Sequence, residues 1–169
     1  MNPIAYHTGY TMTLLLLSLS VAHAGKLADG WRGRPYGPAD ALSVAPGDAC
    51  VSSSEAGVRW RCTETIATEQ VSVAYMAEEG IYSSVLITCK GFSSCQTVLD
   101  TLMAAWGRPF SVEEYGTLPD RFWKDGAVIG AWAYNQFSSE GTAMASHLEY
   151  FQAIKAKQAA KARTAADDL

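Results

Sequence analysis

The sequence predicts an α+β domain built on an antiparallel sheet, and three observations carry that expectation. Alternating segments such as Val58-Arg59-Trp60-Arg61-Cys62-Thr63 follow one another with only short turns between them. Helical periodicity is confined to residues 98–106 and 148–154. No strand-helix-strand pattern marks a parallel crossover. The expected order is a three-stranded meander, a helix, a β-hairpin and a C-terminal helix, with the helices on one face of the sheet.

The first 24 residues read as an expected export signal. Thr11 to Ala24 reads TMTLLLLSLSVAHA, an apolar run closing on Ala22-His23-Ala24, a small-x-small cleavage pattern. The run is shorter than the roughly 20 residues a bilayer span requires. No base precedes it, so the start at Met1 or at Met12 stays open. Cleavage after Ala24 leaves a single-domain length without a cysteine at the new N-terminus, so neither a lipid anchor nor a transmembrane segment is expected. The expected location is the periplasm or the extracellular space. The organisation that follows is a signal peptide at 1–24, a Gly/Pro-rich lead at 25–48, one α+β domain at 49–154 and a basic, Ala-rich helical tail at 155–169.

The lead contains Gly30-Trp31-Arg32-Gly33-Arg34-Pro35-Tyr36-Gly37-Pro38, too rich in Gly and Pro for a helix or a central strand. Trp31 and Tyr36 are residue types that dominate contact hot spots, which makes them candidate binding residues. The competing reading is an extended segment packed over the domain.

Strands are expected at 58–63, 70–76 and 81–89, with Ala77-Glu78-Glu79-Gly80 as the turn between the last two. In the helix that follows, Ser93 and Gln96 have capping-box spacing, and Val98, Leu99, Leu102, Met103 and Trp106 share a face. Gly107 and Pro109 end it. Asp125-Gly126 is a type I′ pair expected to join residues 121–124 to a strand at 127–134. The last helix is expected to begin near Thr142 or Ala143, with Leu148, Phe151 and Ile154 docking on the sheet. Beyond Ile154, Lys155, Lys157, Lys161 and Arg163 sit among alanines, either as a solvated, fraying helix end or as a basic tail touching anionic lipid or an acidic partner.

Four cysteines in an exported chain favour two disulfides over metal ligation or a redox pair. Their positions between the predicted elements favour Cys50–Cys62 and Cys89–Cys95.

The expected function is that of a non-catalytic binding or interaction protein, an envelope factor or an enzyme inhibitor. Its partner would be a protein or the cell wall. A net charge of −4 argues against nucleic acid. No phosphate loop, dinucleotide glycine motif or nucleophile elbow is present, and no cofactor or metal is expected. His147, left alone once the leader is removed, could serve a Ser–His–acid triad only through distant partners. The alternative is a cell-wall glycan or peptide hydrolase using Glu113 and Glu114. They stand in a loop beside Tyr115, between the aromatic residues Trp106, Phe110 and Trp123. Glu113, Glu114 and Tyr115 are candidate binding residues on either reading. Phe110, Tyr115 and Phe137 are the aromatics most suited to exposed contacts, since the strand tryptophans look inward.

A helix ending in Trp106-Gly107-Arg108-Pro109, then a loop and a Trp-containing hairpin, resembles the BamE-type outer-membrane assembly lipoproteins. The resemblance spans Ser94 to Tyr134. The chain departs from that pattern in lacking a lipid-attachment cysteine and in placing three strands before the helix, and no functional residue is carried over.

Overall fold

The computed structural model describes residues 26–167 except Asp48 and Tyr115; the expected signal peptide at 1–24 and the candidate binding residue Tyr115 lie outside the described residues. Two meanders make one antiparallel sheet. The first contains β2 (Cys50–Ser52), β3 (Val58–Ile66), β4 (Glu69–Glu78) and β5 (Ile81–Lys90), followed by α1 (Phe92–Trp106). The second contains β6 (Ser111–Glu113), β7 (Asp120–Asp125), β8 (Val128–Asn135) and β9 (Glu140–His147), followed by α2 (Leu148–Asp167). They join through β5 and β9, giving the order β2-β3-β4-β5-β9-β8-β7-β6. Each half is thus four antiparallel strands and a helix. Both outer strands are only three residues long, which limits the unpaired edge.

Residues 140–147 correct the expected helix start at Thr142 or Ala143. They form the strand that holds the halves together, paired with β5 on one side and β8 on the other. Gly141, Ala143 and Ala145 alternate there with Thr142, Met144 and Ser146, a period-two pattern written in small residues of low strand propensity. Their smallness serves packing. One row across the sheet runs Trp60-Tyr75-Val85-Ala145-Gly130-Trp123, with large residues at its ends and small ones at β9 and β8. A Cβ on Gly130 would stand 3.2 Å from the ring of Trp106, so the dip in the row receives the end of α1.

That face is covered by α1 and by the lead segment. Val98, Leu99 and Leu102 of α1 are buried, and α1 touches β4, β5 and β9. The lead contributes Leu27, Trp31, Tyr36 and Leu42, all buried. Its two-residue strand β1 (Gly37–Pro38) pairs with Tyr82 and Ile81 of β5, just beyond the last β5–β9 pair at Ser84 and Ser146. The lead therefore fills a gap in the sheet. An extra residue at Ser83 breaks the β4–β5 register and turns Tyr82 towards the same core as Tyr75.

Both disulfides have the expected pairing. Cys50 and Cys62 are direct cross-strand neighbours, and Cys89–Cys95 ties the end of β5 to the first turn of α1. Two local details differ from expectation. Gly91 precedes the helix and no side chain caps it; Gln96 instead donates to Asp100 and Thr97 to the Ser93 carbonyl. The β7–β8 turn is Gly126-Ala127, one residue later than expected. Positive φ occurs at Gly126 alone, as a II′ turn requires, whereas Glu79-Gly80 has positive φ at both positions, as in I′.

α2 stands at the end of the sheet and reaches the Met76–Ser84 row, on the face opposite α1, so the two helices do not share the one face expected from the sequence. Tyr150 stacks on His147 and approaches Gly37, while Ile154 packs beside Met76 and Ser84. Past Ile154 the helix is attached through polar contacts: Gln158 to Glu78 and Lys161 to Glu79 (2.6 Å). Two residues of the basic segment, Lys157 and Lys161, thus meet the acidic turn of their own chain.

Candidate binding surface

The sequence-selected residues do not come together. Glu113 ends the short β6, opposite Asp120, and Glu114 follows it; both side chains are exposed. The closed aromatic surroundings that would help a carboxyl act as an acid are absent around them among the described residues. Trp31 and Tyr36 are 3% and 9% exposed, so their surface is spent inside the fold. The lead is a packed segment.

Trp31 belongs to a polar network centred on Glu64, whose side chain is only 10% exposed. One carboxylate oxygen accepts from the Tyr75 hydroxyl at 2.7 Å. The other accepts from the Trp31 indole at 3.2 Å and pairs with the Arg32 guanidinium at 2.9 Å. Arg34 donates to the Pro46 carbonyl and the Trp60 indole to that of Leu42. These bonds clamp the lead to the first meander. Replacing Glu64 by Ala strands three donors at once and is expected to lower unfolding free energy by about 1–3 kcal/mol, read from denaturant midpoints. Glu64→Gln, which keeps an acceptor, is expected to lose less.

His147 shows no triad geometry. Its ring stacks on Tyr150 at 4.2 Å between centroids, and its Nδ1 is buried without a partner among the described residues. No group of three or more His, Cys, Asp or Glu among the described residues could hold a metal ion. No helix among them is long and apolar enough to cross a membrane.

The most exposed large apolar side chain among the described residues is Phe137, at 92%. It sits on the four-residue loop between β8 and β9, closed by the Asn135–Glu140 pair. The loop is held by its own bonds. Asn135 Oδ1 accepts from the backbone N–H groups of Phe137 (2.9 Å) and Ser138 (3.3 Å), an Asx turn. The Ser139 carbonyl accepts from Gly91 N at 2.8 Å, which ties the loop to the start of α1. Gln136 meets Thr117 from the β6–β7 connection. Beneath the loop, Phe92 (45% exposed) meets Tyr134 edge to face at 6.1 Å. A cleft of about 540 Å³ opens beside it, lined among others by Asp120, Tyr134, Gln136, Phe137 and Glu140.

Sequence reasoning selected Phe137 as an exposed aromatic but missed the loop that presents it, because β9 was read as helix. The signal was Asn135 two residues before Phe137, the spacing of an Asx turn.

No protein-family model, curated protein or solved structure matches the chain. Within the stretch that resembles BamE-type proteins, Gly107 takes φ +80° and donates to the Met103 carbonyl, which is helix-ending chemistry.

Proposed function

We propose that this chain is an exported, non-catalytic binding protein of the envelope-factor or inhibitor kind, with the residue 136–139 loop as its contact element. The observation that carries this reading is a fully presented aromatic, Phe137, on a loop braced by Asn135 and Gly91. A preorganised loop loses little conformational freedom on binding, and a large aromatic ring is a common anchor in a partner's pocket. The cleft carboxylates Asp120 and Glu140 and the amide of Gln136 supply polar contacts around that anchor. The partner of choice is therefore a protein with an apolar pocket ringed by donors. Two disulfides and an apolar leader support an oxidising compartment as the place of action.

The test is a photo-crosslinker at Gln136 in the native host, with identification of the adduct. A discrete protein partner is expected. Phe137→Ala should weaken its binding by about 2 kcal/mol or more, near thirtyfold, with an unchanged melting temperature. Retained affinity in Phe137→Ala would discard the loop as the contact, and enzymatic turnover of a cell-wall glycan or peptide would discard the reading itself.

A further inference from the structure

A cleft opens between the lead and the first meander, apart from the Phe137 loop. It encloses about 370 Å³, room for about twelve water-sized groups, and its lining includes Arg32, Arg34, Thr63, Glu64, Thr65 and Tyr75. A tight turn brings the two arginines to it. Trp31 and Arg34 pair as a bridge across Arg32-Gly33, both of which have positive φ, as in a I′ turn. The charges at the cleft are not balanced. Glu64 is engaged by Arg32, which also donates to the Thr65 carbonyl. Arg34 is half-buried and donates to the Pro46 carbonyl at 2.7 Å, and no carboxylate among the described residues pairs with it. A second polar group near Arg34 is also open. Tyr82 is fully buried, its hydroxyl has no partner among the described residues, and it feels the charges of Arg34 and Glu64. Buried polar groups are normally paired, so an unpaired phenol beside a cation without a counter-ion marks a place that a polar ligand completes.

We propose that this cleft is the binding site of a small carboxylate, gripped by the Arg34 guanidinium. Charge selects the ligand. The described lining residues set two guanidiniums, Arg32 and Arg34, against one carboxylate, Glu64, a surplus of one positive charge. A carboxylate neutralises that surplus, whereas a phosphate, with nearly twice the charge, is left repelled by Glu64. Shape selects it too. A planar carboxylate matches the guanidinium fork, which donates two parallel charge-assisted bonds to it, and a half-buried setting strengthens them over bulk water. The volume admits an amino acid or the last residues of a peptide. Free carboxylic acids and peptide C-termini share this chemistry. A ligand here joins Arg34 of the lead to the first meander beside the Glu64 network, and so raises the stability of the folded chain.

The site does not depend on the loop reading above. It is tested by calorimetric titration of the purified, disulfide-bonded protein with acetate, with N-acetylglycylglycine and with the amide of that dipeptide. Both acids are expected to bind and to raise the melting temperature, and the amide to bind at least tenfold more weakly. Equal affinity for the two acids assigns the site to free carboxylates, and tighter binding of the dipeptide acid assigns it to peptide termini. Arg34→Gln should weaken binding at least tenfold, with its melting temperature showing that it is folded. Glu64→Gln removes the repelling charge but keeps an acceptor, so it should tighten binding severalfold, a gain that a purely structural role would not give. Phe137→Ala should bind like the unaltered chain. Failure of both acids to bind at tens of millimolar overturns the proposal. So does equal binding of acid and amide, or unchanged affinity in a folded Arg34→Gln. Binding that appears only in Asp48→Asn also overturns it, because the chain's own carboxylate then holds the position.

Discussion

Gly141→Val is expected to abolish folding at ambient temperature, and Gly141→Ala to cost about 2–3 kcal/mol, at the upper end for overpacking a core. The glycine lies on the central strand β9, directly opposite Cys89 on β5. A Cβ there would stand 2.7 Å from Cys89 Sγ, 2.7 Å from the Trp132 ring and 3.0 Å from Cys95 Sγ. None of these atoms has room to yield: Cys89, Cys95 and Trp132 are each at most 2% exposed, and the two sulfurs are bonded to each other. Thermal and denaturant unfolding measure the loss. Thr142→Val, one residue along and facing the open side, should stay within about 0.5 kcal/mol of the parent, as ordinary surface changes do. A double-mutant cycle locates the strain. In a Cys89→Ala/Cys95→Ala background two of the three close contacts are gone, so Gly141→Ala should cost less than in the parent. Equal costs in both backgrounds would show that the disulfide is not what excludes the side chain.

The same glycine explains why the centre of the sheet was illegible in the sequence. Strand patterns are recognised through β-branched and aromatic residues, and β3, β4 and β5 supply these in Val58, Trp60, Val71, Val73, Val85 and Ile87. The space above β9 is already filled by the disulfide, Trp132 and α1, so only Gly141, Ala143 and Ala145 fit beneath them. Packing selected Gly141, which favours neither helix nor strand, and Ala143 and Ala145, whose intrinsic preference points to helix. The disulfides were legible because the elements flanking each pair of cysteines were correctly ordered along the chain. The contact residues were legible only as residue types. Trp31 and Tyr36 have the chemistry of an anchor, yet Glu64 and Tyr82, distant in sequence, draw them inward. Phe137 was selected as exposed, but its presentation depends on a hairpin whose second strand is β9.

The largest pH effect is expected on the alkaline side. Tyr36, Tyr75 and Tyr82 form one cluster, with ring centroids 5.1 Å apart for Tyr36–Tyr82 and 6.1 Å for Tyr75–Tyr82. Burial raises all three phenols well above the ordinary value near 10. At Tyr75 the bond to Glu64 and that carboxylate's charge add to burial, while Arg34 and Arg32 oppose it. At Tyr82 the neighbouring phenols add to burial, and Arg34 opposes. The folded state therefore keeps these protons at a pH where the unfolded chain has released them. Stability is intact below about pH 10 and falls as pH rises above it, by about 1.4 kcal/mol per unit for each tyrosine and about 4 kcal/mol per unit for the three. A fold worth 5–15 kcal/mol is exhausted within a few units, so cooperative alkaline unfolding is expected from roughly pH 11 upward. Tyrosinate absorbance of the three buried phenols and far-ultraviolet circular dichroism should change together. Tyr82→Phe sharpens the test, since Tyr82 is fully buried and its hydroxyl has no partner among the described residues. Removing that hydroxyl should stabilise the protein at neutral pH by about 1 kcal/mol and reduce the alkaline slope by about a third. If all the phenols ionise near pH 10 with the circular dichroism unchanged, the cluster is open to water and the lead segment does not seal it.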